Sequence, residues 1–345
     1  MVSRAKPSRV LPSAAMTRRV HRRHSPQSVA VSLASRLIVK NAVRAWAFTP
    51  NLHWPFEYID GLAGLMPRFG SAAKIESVRL EHCGAEWVRS PGVSTNRAIL
   101  YMHGGAFLTC GLNTHRSLVA RLSKEADAPI LAVAYRKLPS HQVTDAIDDG
   151  IDGLRWLADR GFDGDQVVVA GDSAGGYLAF MTTLLAIRNR VMNPAGVAAI
   201  SPFTDADPAR KLKHRNARKC SMFTRRAFSM FAQYLSEAQV LEDRGNSVFA
   251  SPVDADLSSL PPVTIHASSD ELLLADAELM AKRLQANGIR CDLHLWDGQI
   301  HDFPLAADIL PEGRRAIKYV GDFVKDVTAV RHNFASIQSL RAAAG

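Results

Sequence analysis

Gln166-Val167-Val168-Val169-Ala170-Gly171-Asp172-Ser173-Ala174-Gly175-Gly176 is the stretch that decides how this chain folds. A β-branched run stops at Gly171, and a helical pattern follows from about Gly175 to Arg190. Between them, Gly171-Asp172-Ser173-Ala174-Gly175 fits the pattern Gly-x-Ser-x-Gly. A strand-to-helix turn this sharp lifts a serine hydroxyl clear of a sheet, and it needs flanking residues with no Cβ to clash. It also sets the Ala174 N–H at a helix N-terminus, where a developing oxyanion is stabilised. Ser173 is therefore the candidate nucleophile and Asp172 supports its motif. A serine in a glycine-rich phosphate-binding turn is the competing reading, and the strand-to-helix context argues against it.

Outward from this turn, strands and helices alternate. Strands are predicted over 74–82, 85–90, 98–102, 130–135, 166–170, 197–200, 263–267 and 292–296, and helices over 143–157, 274–287 and 312–327. Such alternation implies a mostly parallel, eight-stranded α/β sheet covered by helices on both faces. One stretch breaks it: from Ser201 to about Gly245 the sequence is basic, aromatic and helical in pattern, an insertion over one sheet edge. Residues 1–25 are arginine-rich and aperiodic, hence expected to be disordered. Val31, Ala34, Leu37 and Ile38 recur at helical spacing and predict a helix over about 27–47.

A serine nucleophile needs a base, an orienting acid and oxyanion donors. His103-Gly104-Gly105-Ala106-Phe107 ends the predicted strand 98–102, and its small residues let backbone N–H groups approach a substrate. Gly104, Gly105, Ala106 and Ala174 are the candidate oxyanion residues, and His103 is read as holding the loop. Where a nucleophile follows this turn, acid and base come later in the chain. Of the later histidines, His214 lies in the insertion, His266 and His294 lie inside strands, and His332 lies past the last helix. His301, in Asp297-Gly298-Gln299-Ile300-His301-Asp302-Phe303, follows a strand and has room to reach Ser173. Asp270 follows the strand 263–267 at the sheet's carboxyl edge and is preferred as the acid. Asp276 falls inside the next helix, and Glu271 is expected to point elsewhere.

Composition narrows the rest. No apolar run approaches the roughly 18–20 residues needed to span a bilayer, and no clear signal-peptide cleavage site follows the basic start. The four cysteines Cys83, Cys110, Cys220 and Cys291 form no pair with metal or disulfide spacing, so a reducing, cytoplasmic setting is the default. The net charge of +9 is localised: residues 1–56 hold ten Lys or Arg and no acid, and residues 208–226 hold eight and no acid. Removing those eighteen charges from +9 leaves −9 on the remainder. No nucleic-acid recognition motif accompanies the basic segments. A solvated tail and helix face would also explain them.

Together these residues resemble the hormone-sensitive-lipase-like branch of the α/β-hydrolases, the bacterial family IV esterases, with mycobacterial carboxylesterases similar around the HGGAF loop. The resemblance rests on His103–Phe107 for HGGG[FW], Tyr135-Arg136-Lys137-Leu138-Pro139 for YR-x-x-P, and Gly171–Gly176 for the nucleophile motif. Asp270, His301 and Phe303 stand where the family's acid and base motifs stand. It spans about residues 70–325. It implies the α/β-hydrolase fold, oxyanion donors at Gly105, Ala106 and Ala174, no metal or organic cofactor, and hydrolysis of short- to medium-chain acyl esters. Two positions depart from the pattern: Ala106 replaces a third glycine, and Glu271 stands where proline is common.

The resemblance also implies a helical cap built from residues 26–70 and 204–245, a catalytic core over 71–203 and 246–330, and a tail over 331–345. Such a cap would join the two basic segments into a positive face suited to anionic lipid surfaces or acidic acyl substrates. An amidase or thioesterase would use the same residues. A non-catalytic small-molecule receptor on this fold would have lost the histidine, and His301 is present.

Overall fold

The computed structural model describes residues 16–50, 52, 54–56, 58–65, 72–240 and 251–329, with the side chains of 236–240 excepted. Its strands are β1 (Met16–His21), β2 (Lys74–Arg79), β3 (Gly84–Arg89), β4 (Ala98–Met102), β5 (Ile130–Ala134), β6 (Val167–Asp172), β7 (Gly196–Ile200), β8 (Val263–Ser268) and β9 (Cys291–Trp296). They form one sheet in the order β1-β9-β8-β7-β6-β4-β5-β3-β2. All neighbours pair parallel except β3, which runs antiparallel to both β2 and β5. The helices are α1 (Pro26–Ala34), which continues through a π-helical turn (Ser35–Val39) into α2 (Lys40–Phe48), then α3 (Tyr58–Gly64), α4 (Leu112–Ala126), α5 (Val143–Asp159) and α6 (Ala174–Arg188). After them come α7 (Pro208–Lys213), α8 (Asn216–Lys219), α9 (Arg225–Val240), α10 (Leu274–Ala286) and α11 (Pro311–Ala329).

Side chains alternate across a strand, and here the alternation divides the central strands between two cores. Leu100 and Met102 of β4 join Val167 and Val169 of β6 on one face, against α5, α6 and α10. Ile99, Tyr101, Val168 and Ala170 join the other core, which α4 and α11 cover. Both faces are buried, so these strands read as continuous apolar runs rather than as alternating ones. Each large aliphatic side chain sunk here contributes about 1.5–3 kcal/mol.

The ninth strand is a correction. Met16–His21 was expected to be disordered, yet it pairs parallel with β9 from Met16↔Cys291 to His21↔Trp296. Thr17 Oγ1 donates to Asp292, and the His21 ring stacks on Trp296 at 3.8 Å between centroids. Three of its six residues are exposed, as suits an edge strand, and the run therefore lacks an apolar signature. Residues 1–15 and the expected tail over 331–345 lie outside the described residues. α4 was not expected either: its sequence, Leu112–Ala126, is polar and basic along much of its length.

The two basic segments meet. Arg36 donates to the Lys219 carbonyl (2.9 Å), Lys40 Nζ to the Cys220 carbonyl (2.6 Å), and Arg226 Nε to the Ala47 carbonyl (3.0 Å). The insertion contains α7, α8 and α9, with no strand among its described residues. Its root is a buried ion pair. Lys211 Nζ lies 3.1 Å from Asp276 Oδ1 at the start of α10, beneath the rings of Phe203 and Phe228. Asp276 also accepts from the Thr204 and Asp205 N–H groups.

Candidate active site

Ser173 sits between β6 and α6 with φ 52° and ψ −118°, a backbone conformation that costs about 1–3 kcal/mol for a residue with a Cβ. Hydrogen bonds hold it there: Ser173 N–H donates to the Ile200 carbonyl (2.9 Å), and its own carbonyl accepts from Gly176 and Phe203 (both 3.0 Å). The need for glycine on each side is steric. A Cβ on Gly171 would lie 2.2 Å from the Gly175 carbonyl oxygen, and one on Gly175 would lie 2.0 Å from that of Met102.

His301 reaches this turn from the loop after β9, as the sequence suggests. Its Nε2 is 2.9 Å from Ser173 Oγ, and both residues are buried. The carboxylate that meets His301 is not the one the sequence put there. His301 Nδ1 lies 2.5 Å from Glu271 Oε2, while Asp270, half-buried, bonds among the described residues only through its backbone N–H, to Ser268 Oγ. Glu271 is 1% exposed and fully engaged: its other oxygen accepts from Ser268 N–H (2.6 Å) and Ser201 Oγ (2.9 Å). The turn after β8 aims the second of two adjacent acids inward. Asn216, from the insertion, fixes that turn by donating to the carbonyls of Ser269 (2.7 Å) and Glu271 (2.9 Å). A strand end followed by Asp-Glu gives no sequence signal for which carboxylate faces the site.

A second carboxylate contacts the histidine. Asp302 Oδ2 is 3.1 Å from His301 Nε2, and Asp302 N–H donates to Ser201 Oγ (3.2 Å). Burial, aided by the Asp172 carboxylate and opposed by His301, pushes Asp302 up to about 7. Burial pulls His301 down, but Asp302 and Glu271 overcome it and hold the imidazole well above its ordinary value. The motif His301-Asp302-Phe303 contained this residue, but its role depends on a left-handed backbone at Asp302 (φ 51°) that the sequence does not announce.

The glycine loop is built on Asp172. This buried carboxylate accepts from Tyr101 OH (2.7 Å), His115 Nε2 (3.1 Å) and Gly104 N–H (3.1 Å). Burial favours its neutral form, yet the adjacent His115 holds it below the usual carboxylate range, and Asp172 in turn raises His115. The Gly104 N–H is thus committed to Asp172, which corrects its assignment as an oxyanion residue. Gly104 has no room for a side chain, since a Cβ would lie 2.2 Å from Asp172 Oδ2. Gly105, Ala106 and Phe107 all take positive φ, in a turn closed by Thr109 N–H on the Gly105 carbonyl (2.9 Å). His103 lies beneath, stacked on Tyr135 at 4.2 Å, with burial lowering it to about 3. Tyr135 OH donates to the His103 carbonyl (2.8 Å), and Arg136 pairs with buried Asp149 (2.9 Å).

Among the described residues only Glu81, His82 and Asp152 gather metal-ligand atoms within 4.8 Å of one another. The Asp152 oxygens are already engaged by His82 (2.7 Å) and Arg155 (3.1 Å).

A family model described as alpha/beta hydrolase fold matches residues 99–305. Esterase LipU of Mycobacterium tuberculosis is 38% identical over 302 residues, 85% of this chain and 100% of LipU. Among solved structures, EstE5 soaked with p-nitrophenyl butyrate superposes with TM-score 0.76 at 32% identity, covering 88% of this chain and 99% of EstE5. An esterase from the bacterial hormone-sensitive lipase family gives 0.76 at 28% identity, covering 89% and 99%. The chain belongs to the α/β-hydrolase family, in the hormone-sensitive-lipase-like branch. It is of the serine carboxylesterase or lipase kind.

Proposed function

We propose that the chain hydrolyses carboxylic esters of short to medium acyl length through an acyl-enzyme on Ser173, with His301 as base and Glu271 as its orienting acid. The observation that carries this reading is the unbroken, buried series Ser173 Oγ, His301 Nε2, His301 Nδ1, Glu271 Oε2, joined at 2.9 and 2.5 Å. Ser173 Oγ attacks the ester carbonyl as its proton moves to His301 Nε2. The carbonyl oxygen becomes an oxyanion, received by the N–H groups of Gly105, Ala106 and Ala174. Collapse expels the alcohol, which takes the proton from His301. Water then repeats the sequence on the acyl-enzyme and releases the carboxylic acid. Glu271 keeps its charge throughout and fixes the tautomer in which Nε2 is free to accept.

The residues 26–70 and 204–245 act in this reading as the cap that limits acyl length. Its support is Phe223, whose ring lies 5.0 Å from that of His301. The acyl group then meets an aromatic wall rather than open solvent. Hydrolysis of p-nitrophenyl esters of increasing acyl length, with Ser173→Ala alongside, tests the reading. Activity confined to short and medium chains and absent from the variant is expected. Turnover that survives in Ser173→Ala, or turnover of anilides and thioesters with none of esters, overturns it.

A further inference from the structure

The first helical run of the described chain is turned inside out for a protein in water. Along α1, the π-helical turn and α2, the residues that face inward are small or polar: Ser28, Ser35 and Ala47 are buried. Facing outward at i, i+4 and i+8 are Val29, Leu33 and Leu37, with Ile38 beside them. Leu37 is 62% exposed and Ile38 69%. The pattern continues through the next segment, where Leu52, Leu62 and Leu65 are all exposed, Leu65 by 82%. Of the fourteen exposed large apolar residues in the described chain, eleven fall between Val29 and Leu65. Scattered surface leucines are ordinary, but a concentration of this kind on one segment marks a contact with something apolar.

What covers this face is indicated by its charge. No Asp or Glu occurs among residues 1–56, and beyond them Asp60 is taken up by Asn113 and Thr114, leaving Glu57 to count against the cations of the run. Arg36 and Arg44 project from the same helical run, and both are exposed. The bonds from Arg36 and Lys40 to the carbonyls of Lys219 and Cys220 bring exposed Arg218, Lys219, Arg225 and Arg226 alongside. Two copies of the chain meeting through this face would press cation against cation, since a two-fold contact sets like patches together. An apolar ridge rimmed by cations instead matches the boundary of an anionic bilayer, where leucines enter the acyl region and Lys or Arg meet the headgroups.

We infer that the face formed by α1, α2, Leu52, α3 and Leu65, with the basic rim of the insertion, docks on anionic phospholipid surfaces. The face is tied to the glycine loop. Asp60 accepts from Asn113 and Thr114 at the start of α4 (Thr114 N–H at 2.9 Å), and Thr109 Oγ1 donates to the Phe56 carbonyl (3.0 Å). On the other side, the insertion that supplies the rim also supplies Phe223 to the histidine. Docking would therefore set the mouth of the site at the lipid surface, where sparingly soluble esters partition.

Co-sedimentation of the full chain with phosphatidylcholine vesicles, with and without phosphatidylglycerol, tests the inference. The chain is expected to sediment with the anionic vesicles and to be released as ionic strength rises. Leu37→Asp with Ile38→Asp should lower the partition coefficient at least tenfold, as should Arg36→Glu with Arg44→Glu. Far-UV circular dichroism and a thermal melt matching wild type show that both variants fold. No sedimentation with anionic vesicles overturns the inference, as does binding that is equal on neutral vesicles or indifferent to the substitutions. A concentration-dependent dimer abolished by Leu37→Asp would assign the face to a second copy. Vesicle binding and ester turnover are separate readouts, so loss of one leaves the other standing.

Discussion

Replacing Glu271 by Gln separates the two adjacent acids by a mechanism that the hydrogen bonds dictate. Glu271 Oε1 accepts from Ser268 N–H and Ser201 Oγ, so a glutamine must keep its carbonyl oxygen there. Its NH2 is then forced toward His301 Nδ1, where the carboxylate oxygen stood at 2.5 Å. An amide donor facing Nδ1 makes that nitrogen the acceptor and puts the proton on Nε2, which can no longer take one from Ser173. The analogous tautomer reversal in serine triads costs a factor of about 10⁴ in rate. A fall of about 10³–10⁴ in kcat/KM is expected, or about 4–5.5 kcal/mol of transition-state stabilisation. KM should hold, because the change touches no substrate group. Asp270→Asn should stay within about threefold of wild type, because the Asp270 bond to Ser268 Oγ is made by its backbone N–H and the substitution leaves that in place. Steady-state hydrolysis of p-nitrophenyl butyrate, with a thermal melt on each variant, decides it. Near-wild-type activity in a folded Glu271→Gln, with collapse in Asp270→Asn, would refute the assignment of the acid.

Three further perturbations follow from the same contacts. The Asp302 carboxylate helps hold His301 above its ordinary pKa, and His301 works as a base only when neutral. Asp302→Asn should therefore move the acid limb of kcat/KM to lower pH, and an unmoved or raised limb in a pH profile would count against the contact. Gly175→Ala would set a Cβ 2.0 Å from the Met102 carbonyl oxygen, and the forced backbone shift should cost about 1–3 kcal/mol in a denaturant melt and most of the activity. Retention of both would mean that the turn is looser than described. Lys211→Met strands Asp276 without its ion-pair partner in a buried site, with an expected loss of about 3–5 kcal/mol, and Asp276→Leu added to it should recover part. A single variant as stable as wild type would place that pair in contact with water.

What could be read from the sequence, and what could not, follows physical lines. The turn at Ser173 was legible because so sharp a strand-to-helix turn requires glycines where any other residue collides, and Gly171 and Gly175 both stand against carbonyl oxygens. The central strands were legible because burial on both faces leaves uninterrupted Val, Ile, Leu and Ala, and the predicted ends lie within a few residues of the observed ones. β1 was not, since an edge strand needs no apolar face and Met-Thr-Arg-Arg-Val-His carries the charges of a solvated segment. Glu271 was missed because its choice over Asp270 turns on donors contributed by Ser201 and Asn216, distant in sequence. Gly104 was misassigned for a similar reason: the acceptor that takes its N–H is Asp172, placed there by the pairing of β4 with β6.

Asn216 and Phe223 tie the insertion to the two elements that meet at His301, and in the proposed mechanism that gives it a hold on the reaction as well as on the substrate. One clasps the two carbonyls of the turn that presents Glu271, and the other abuts the histidine ring. Remodelling that insertion to admit a larger acyl group would slacken the support of the acid at the same time. Variants that broaden the range of esters accepted should then lose speed on the original one, unless a second change restores the clasp on residues 269–271. Selectivity and turnover in this enzyme would be inherited together, and a laboratory search for new substrates would advance fastest by holding Asn216 fixed.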